Sequence, residues 1–474
     1  MILEVLVAYL VLMVAIGFYE YRKTRNVPEF YIAGKKLGAF AVSFSFFATY
    51  FSTAAFLGGG GTGFLFGFQW SAFLIFFHIL FAILAWILIA PPMKKIADEH
   101  RALTIPELFG KKFGREAQII CALIVIFFFE FYMVSIYKGA GVLLQTMLSI
   151  DYLEALLLVA VIVSIYTAIG GFRAVVTTDI VQGIIMLFGA ILLFFTLLHS
   201  LGWFEAINKL SQLKPEVFEL GKMGPAKVVE AGMVVPYVLS LTFAISVAQL
   251  SSPQLVIRFV AAKDRRVIAY GMLLTPIIVG VFAICVFSLG PLAWLVIPKE
   301  EVPNFLKDVD KVVPYMAMKT LPLGVNALLL TAIVAAAMST INSLVHVSST
   351  ALVRDVLQNL RKIEDSRALF LTRFAVVALA LIPIAFAVNP PGIIVDIVGI
   401  SFSAITSAFL VPMLAMLYAK RVRKAAVIAS MLVAIAICVV WQAYFSKTFY
   451  IYPVVPGLIA SAVTFALFNL KKQP

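Results

Sequence analysis

The sequence predicts an all-α membrane protein of about 13 transmembrane helices, built as an inverted five-plus-five helix repeat whose first and sixth core helices are broken. Three observations predict it. Of the 474 residues, 63% are hydrophobic and only 13% are charged, against about 25% charged in an average soluble domain. Apolar stretches reaching the roughly 20 residues that cross a bilayer as a helix recur from end to end. Two of these stretches carry polar residues in their middles and stand five spans apart, the separation expected of two inverted five-helix repeats.

The spans run over 2–20, 38–62, 66–92 and 116–147, then 153–171, 176–201, 233–257 and 267–297. Five more follow at 324–353, 368–388, 391–419, 424–444 and 449–470. Residues 1–474 are read as one transmembrane domain, with a leading helix at 2–20, a first repeat at 38–201, a second at 233–419 and C-terminal helices at 424–470. The longest polar interruption, Gly202 to Gly232, is a connecting loop. Ile2 to Tyr19 lacks a basic region before it and a small-residue cleavage site after it, and Arg22, Lys23 and Arg25 follow. It therefore reads as a retained helix with its N-terminus outside rather than a cleaved signal.

The basic residues test the count. In that orientation 27 of the 37 Lys and Arg residues fall in cytoplasmic loops, Arg258, Lys263, Lys471 and Lys472 among them. Nine fall in external loops, and Lys138 lies within a span. Cytoplasmic loops concentrate Lys and Arg, so the C-terminus is placed in the cytoplasm and the protein in the plasma (inner) membrane. A missed span would reverse the bias for every loop after it. The same clustering between spans turns the net charge of +13 away from a nucleic-acid partner.

Other chemistry is excluded in turn. Cys121, Cys285 and Cys438 lie far apart in apolar segments, without metal-ligand or disulfide spacing, and read as packing residues. Residues 58–63 match G-x-G-x-x-G, but no strand precedes them and a membrane span follows, so no dinucleotide site is implied. No nucleophile, metal or cofactor constellation appears, and neither an enzyme nor a bound cofactor is expected.

Polar residues inside spans carry the functional reading. In the second span, Ala48-Thr49-Tyr50-Phe51-Ser52-Thr53 is followed by Gly58-Gly59-Gly60-Gly61-Thr62-Gly63. Small residues there allow close helix packing. They also permit a discontinuous helix that presents carbonyls and hydroxyls to an ion and a solute, because unpaired backbone in hydrocarbon is tolerated only where it is buried or lines a cavity. In the fourth span Glu130 and Lys138 sit two turns apart on one face. They read as a structural ion pair, or Lys138 reaches toward the outer interface, or Lys138 is the counter-ion to a carboxylate solute. Asp179 opens the sixth span, where it either caps the helix or serves a cation path. The seventh span is split by Gln249-Leu250-Ser251-Ser252-Pro253-Gln254. In the ninth, Ala336, Ser339, Thr340 and Ser343 share one small, oxygen-bearing face, suited to packing or to a monovalent hard cation. His78, His199 and His346 are isolated and read as buried structural histidines rather than proton relays.

Three segments together carry a family resemblance. Ala48-Thr49-Tyr50-Phe51-Ser52 through Gly58-Gly59 resembles the first core helix of the sodium:solute symporter family. Tyr166 through Val175, with Ile169-Gly170-Gly171-Phe172-Arg173, Asp179 and Gln182, looks like its most specific signature. Ala336-Ala337-Met338-Ser339-Thr340-Ile341-Asn342-Ser343 is similar to its eighth core helix, and Arg354-Asp355 to that helix's end. The likeness covers essentially the whole chain, including Asn389-Pro390-Pro391-Gly392.

The resemblance implies the inverted-repeat fold of the leucine transporter and sodium-driven alternating access. It implies a main sodium site on the carbonyls of Ala48, Phe51 and Ala336 and the hydroxyls of Ser339 and Thr340. A second site seen in some members would fall on Asp179, Ser339, Asn342 and Ser343. Solute would lie beside Ser52, Thr53, Ser252 and Gln254. In the proline carriers an Asp precedes the second carbonyl ligand of the first core helix; here Tyr50 stands there, and the nearest likeness is to pantothenate and monocarboxylate carriers. The partners implied are sodium, a small organic solute and lipid, with no nucleic acid and no required protein. Competing readings are a proline-type or proton-coupled carrier, and a sensor or channel on the same fold. No signalling domain is expected beyond Lys471-Lys472-Gln473-Pro474.

Overall fold

The computed structural model describes residues 2–470, and these are helical except for loops and one isolated bridge between Leu37 and Ala262. In chain order the main helices are α1 (Ile2–Tyr21), α2 (Ala39–Tyr50), α3 (Ala54–Phe66), α4 (Phe68–Glu99), α5 (Ile105–Phe113), α6 (Arg115–Leu148) and α7 (Tyr152–Leu201). They continue as α8 (Val234–Val247), α9 (Pro253–Ala261), α10 (Arg265–Leu295), α11 (Val312–Thr320), α12 (Leu323–Leu360) and α13 (Asp365–Ala387). The last are α14 (Ile394–Tyr418), α15 (Lys424–Phe449) and α16 (Val454–Leu470).

Among the described residues, ten helices are long and apolar enough to cross a membrane, and the bent pair α2–α3 makes eleven. The 50 residues of α7 would extend roughly 75 Å if straight, more than twice a hydrocarbon core of about 30 Å. Gly171, at φ 61° and ψ −153°, instead folds α7 into two arms, 152–170 and 172–201. With the two arms of α7 taken separately and the shorter α16 added, the described residues place helices at all thirteen expected positions. Lys471 and Lys472, counted with the cytoplasmic charges, lie outside the described residues.

The bend in α7 is what the 166–175 segment encodes. A backbone at positive φ with ψ near −153° is open essentially to glycine, and a Cβ at Gly171 would also lie 2.6 Å from Phe30 Cδ2. Arg173 ties the bend down, its Nε donating to Glu20 Oε2 (3.1 Å) and its Nη1 to Glu29 Oε2 (2.9 Å). Gly171→Ala is expected to cost about 1–3 kcal/mol. The variant should show a lower apparent unfolding temperature in detergent, and an unchanged temperature would show that the bend carries no such constraint.

The two interruptions are real breaks. At the first, α2 stops at Tyr50, Phe51 adopts φ −90° and ψ 108°, and α3 restarts at a 59° angle. The four glycines are not the break. They are helical, with Gly59 at φ −63° and Gly60 at φ −66°, and they serve close packing: a Cβ on Gly61 would lie 2.2 Å from Val309 O, and one on Gly290 would lie 2.0 Å from Gly60 O. At the second, Ser251 (φ −136°) and Ser252 (ψ 120°) leave the helix and Pro253 opens α9, where its missing N–H costs nothing.

α12 is the axis of the fold. Of its most apolar stretch 94% is buried, against 33% for α1 and for α15. Its Ala, Ser and Thr face lets α2 and α7 approach closely, as small residues do between membrane helices.

Candidate functional site

The site grows from the end of α2. A helix leaves its last four carbonyls without helical partners. Here the Phe47 carbonyl accepts the Phe51 N–H at 3.1 Å, and hydroxyls of α12 take the next two. Ser339 Oγ donates to Ala48 O at 2.8 Å and Thr340 Oγ1 to Thr49 O at 3.1 Å. Both hydroxyls also lie 3.2 Å from Ala336 O. Ala48, Ala336, Ser339 and Thr340 thus meet in the core with exposures of 0%, and Phe51, where the ladder ends, is the next turn of the same strand of backbone. The group is made of neutral oxygens freed from, or aimed at, a helix break.

A second polar cluster lies beside it. Asp179 stands eight residues past Gly171, in the body of α7's second arm and not at a helix N-terminus, so it caps nothing. Its carboxylate accepts Ser45 Oγ (2.6 Å), Thr49 Oγ1 (3.2 Å) and Asn342 Nδ2 (3.2 Å). Ser343 Oγ is 2.8 Å from Thr49 Oγ1. Into this group Arg258 inserts its guanidinium. Nη2 donates to Asp179 Oδ2 (3.0 Å), Thr49 Oγ1 (2.6 Å) and Ser343 Oγ (2.5 Å), Nε to Ser45 Oγ (3.1 Å), and Nη1 to the Gln254 carbonyl.

This corrects the placement of Arg258 in a cytoplasmic loop. α9 runs on through Ala261, a turn beyond the expected span end at 257, and the side chains of Arg258 and Asp179 are both 0% exposed. A charge at the edge of an apolar run reads as the end of a span, yet a paired charge can remain inside it.

Next to the α2–α3 break is a cavity of about 30 Å³, walled by Tyr50, Phe51, Ser52, His78, Tyr132, Ile245, Val398 and Phe402. That volume holds a water or two and no organic solute. Tyr132 Oη donates to Ser52 Oγ at 3.3 Å, and the His78 ring stacks on Phe51 at 5.4 Å with its Nδ1 2.8 Å from Ser246 Oγ. Sequence reasoning did not single out Tyr132, and it took His78 as structural. One lies in an unbroken apolar run and the other in Phe76-Phe77-His78, and neither spacing marks which neighbours the break brings.

Of the four residues expected beside solute, only Ser52 walls this cavity. Thr53 donates to Ile136 O (3.2 Å) and abuts Gly139. Ser252 and Gln254 are buried on α9's first turn, their side-chain oxygens unpartnered among the described residues. Lys138 does not pair with Glu130. Its Nζ lies 2.5 Å from Asp310 Oδ2 and 3.1 Å from Gly392 O, and Asp310 Oδ2 also accepts the Ile394 N–H (3.1 Å). Asp310 comes from the turn Val309–Lys311, far from Lys138 in sequence and therefore invisible as its partner. Glu130 is half-buried, and its two carboxylate oxygens are buried without a hydrogen-bond partner among the described residues.

The two ion pairs flank the cavity. α2 and α6 belong to the second and fourth spans and run the same way across the bundle. Arg258 binds Ser45 and Thr49, before Ser52 on α2, whereas Lys138 lies after Tyr132 on α6. One ion pair therefore lies toward each end of the bundle.

Comparison with known proteins bears on the fold and the family. The chain is 28% identical to the sodium/pantothenate symporter of Haemophilus influenzae over 98% of its own length and 95% of that protein's. It is 27% identical to the high-affinity proline transporter of Bacillus subtilis, with 97% and 96% covered. Among solved structures, a Na⁺-coupled sialic acid symporter in a substrate-bound outward-open state superposes with a TM-score of 0.79 at 18% identity, covering 100% of this chain and 99% of that one. That likeness speaks for the fold, as does a TM-score of 0.56 to the Eremococcus coleocola manganese transporter at 13% identity, covering 91% and 95%. The family pattern itself matches residues 30–434, from just before α2 into α15, and on that ground the chain belongs to the sodium:solute symporter family.

Proposed function

We propose that this protein is a secondary active symporter that couples sodium influx to uptake of a small organic carboxylate, of the pantothenate or monocarboxylate kind, by alternating access. The observation that carries the reading is the meeting of Ser339 and Thr340 with the carbonyls that the α2 break releases. Sodium is held by oxygens of Ala48, Phe51, Ala336, Ser339 and Thr340, a neutral set matched to a monovalent ion. Because Phe51 and Ser52 are adjacent, ion and solute share one hinge, and filling one site shapes the other, as thermodynamic coupling requires. The N-terminus lies outside and the Lys138 brace forms the outer closure; the Arg258 brace forms the inner one. With the cavity at about 30 Å³, both closures are shut in this conformation. Binding therefore begins with release of the outer brace.

Two finer choices have support on particular residues. Tyr50 walls the cavity and donates to Ile245 O at 3.2 Å, occupying with a phenol the position where proline carriers hold a carboxylate. A proton-coupled cycle through Asp179 is disfavoured by its guanidinium partner, which keeps a charge opposite it. In proteoliposomes, an inward sodium gradient alone is expected to drive uphill accumulation of radiolabelled pantothenate or a short monocarboxylate, and a proton gradient alone is not. Accumulation without sodium would sink the coupling-ion assignment. Sodium-driven accumulation of proline in place of carboxylates would move the solute and leave the ion.

A further inference from the structure

We propose that Arg258 is a tethered cation filling the second cation pocket of this carrier, so that it binds one sodium ion and not two. The inference rests on the sodium-coupled reading above and concerns the number of ions. The oxygen cluster at Asp179 has the composition of a cation site: a buried carboxylate with the hydroxyls of Ser45, Thr49 and Ser343 turned toward one point. In this chain the point is already taken. Guanidinium nitrogens lie 2.5–3.1 Å from all four oxygens, Nη1 is held by the Gln254 carbonyl, and the Phe172 ring covers the group at 5.2 Å. An arginine stays charged in a protein.

Charge decides the matter as firmly as space. Among the described residues Asp179 is the one carboxylate hydrogen-bonded in the cluster and Arg258 the one cation, so the pair is neutral. A sodium ion added there would have to share one buried carboxylate with a guanidinium 3.0 Å from it, like charge against like charge. Among the described residues no side-chain cation enters the first cluster, where the Ser339 and Thr340 hydroxyls meet carbonyls and the Met186 sulfur. The two clusters share Thr49, whose carbonyl serves the first and whose hydroxyl serves the second. Their different occupancy follows from one side chain on α9.

Equilibrium binding of ²²Na⁺ to the purified full-length protein in lipid nanodiscs reads the number directly, without the solute. The wild type is expected to bind one ion per chain. Arg258→Gln, which leaves Asp179 and its hydroxyls in place, is expected to bind two, and R258Q with Asp179→Asn is expected to return to one. Two ions on the wild type, or one on a folded R258Q, would overturn the inference while leaving sodium coupling intact. If R258Q does not fold, the wild-type count alone decides. No ion on the wild type would instead overturn the coupling-ion reading itself.

Discussion

Ser339→Ala is expected to raise the sodium concentration for half-maximal uptake by about ten- to a hundredfold and to abolish transport at low sodium. The size follows from the ligand count. With five neutral oxygens, the loss of one leaves an ion without a contact worth about 1.5–3 kcal/mol, and 1.4 kcal/mol is tenfold in affinity. The fold loses less. Ser339 Oγ donates to Ala48 O, which in the variant keeps its place on α2 through Thr340 and the packing of α12, so unfolding temperature should move little. Thr340→Ala should act in the same direction, and the double variant should fall short of the sum because both hydroxyls lean on Ala336 O. Ser348→Ala is the matched control. It removes a buried hydroxyl from the same helix, one with no partner among the described residues, and should leave sodium dependence unchanged. If Ser339→Ala and Ser348→Ala shift sodium dependence equally, α12 is not the ion's ligand helix.

Much of this arrangement is legible in the residues, and what is not has a common physical cause. The breaks in the second and seventh spans show because polar residues and Pro253 interrupt apolar runs, and local chemistry suffices to find them. The Ala336, Ser339, Thr340 and Ser343 face shows because helical periodicity puts it on one side. What it faces is a tertiary fact, and α2 is almost three hundred residues away. The glycine run misleads in part, since Gly58 to Gly61 announce close packing against Val309, Phe287 and Val313 while the backbone opens several residues earlier at Phe51. Charges are read least well. Sequence distance pairs Lys138 with Glu130 and sends Arg258 into a loop, whereas the fold pairs them with Asp310 and Asp179 across 172 and 79 residues. Buried ion pairs are chosen by topology, and a single chain's pattern does not contain it.

Asp310→Ala is expected to be the most destabilising single change at the outer closure, and its rescue separates two roles for Lys138. Asp310 is wholly buried and the Lys138 side chain is 11% exposed. Removing the carboxylate strands an ammonium group and takes the hydrogen bond from Ile394 N at the start of α14, a loss of about 3–5 kcal/mol. Replacing both partners avoids the stranded charge, so Lys138→Met with Asp310→Ala should recover most of the apparent unfolding temperature. The double variant also lacks the outer brace. Each 1.4 kcal/mol removed from the closed form raises the open population tenfold, and a cysteine in place of Val398 on the cavity wall reports it. The three native cysteines are buried and give little background. Labelling of V398C by a membrane-impermeant maleimide should therefore quicken about tenfold or more in the double variant, while half-saturation for the carboxylate solute falls, because a larger share of the protein is already open to it. If labelling is unchanged and solute affinity collapses, Lys138 is the solute's counter-ion and the outer closure lies elsewhere.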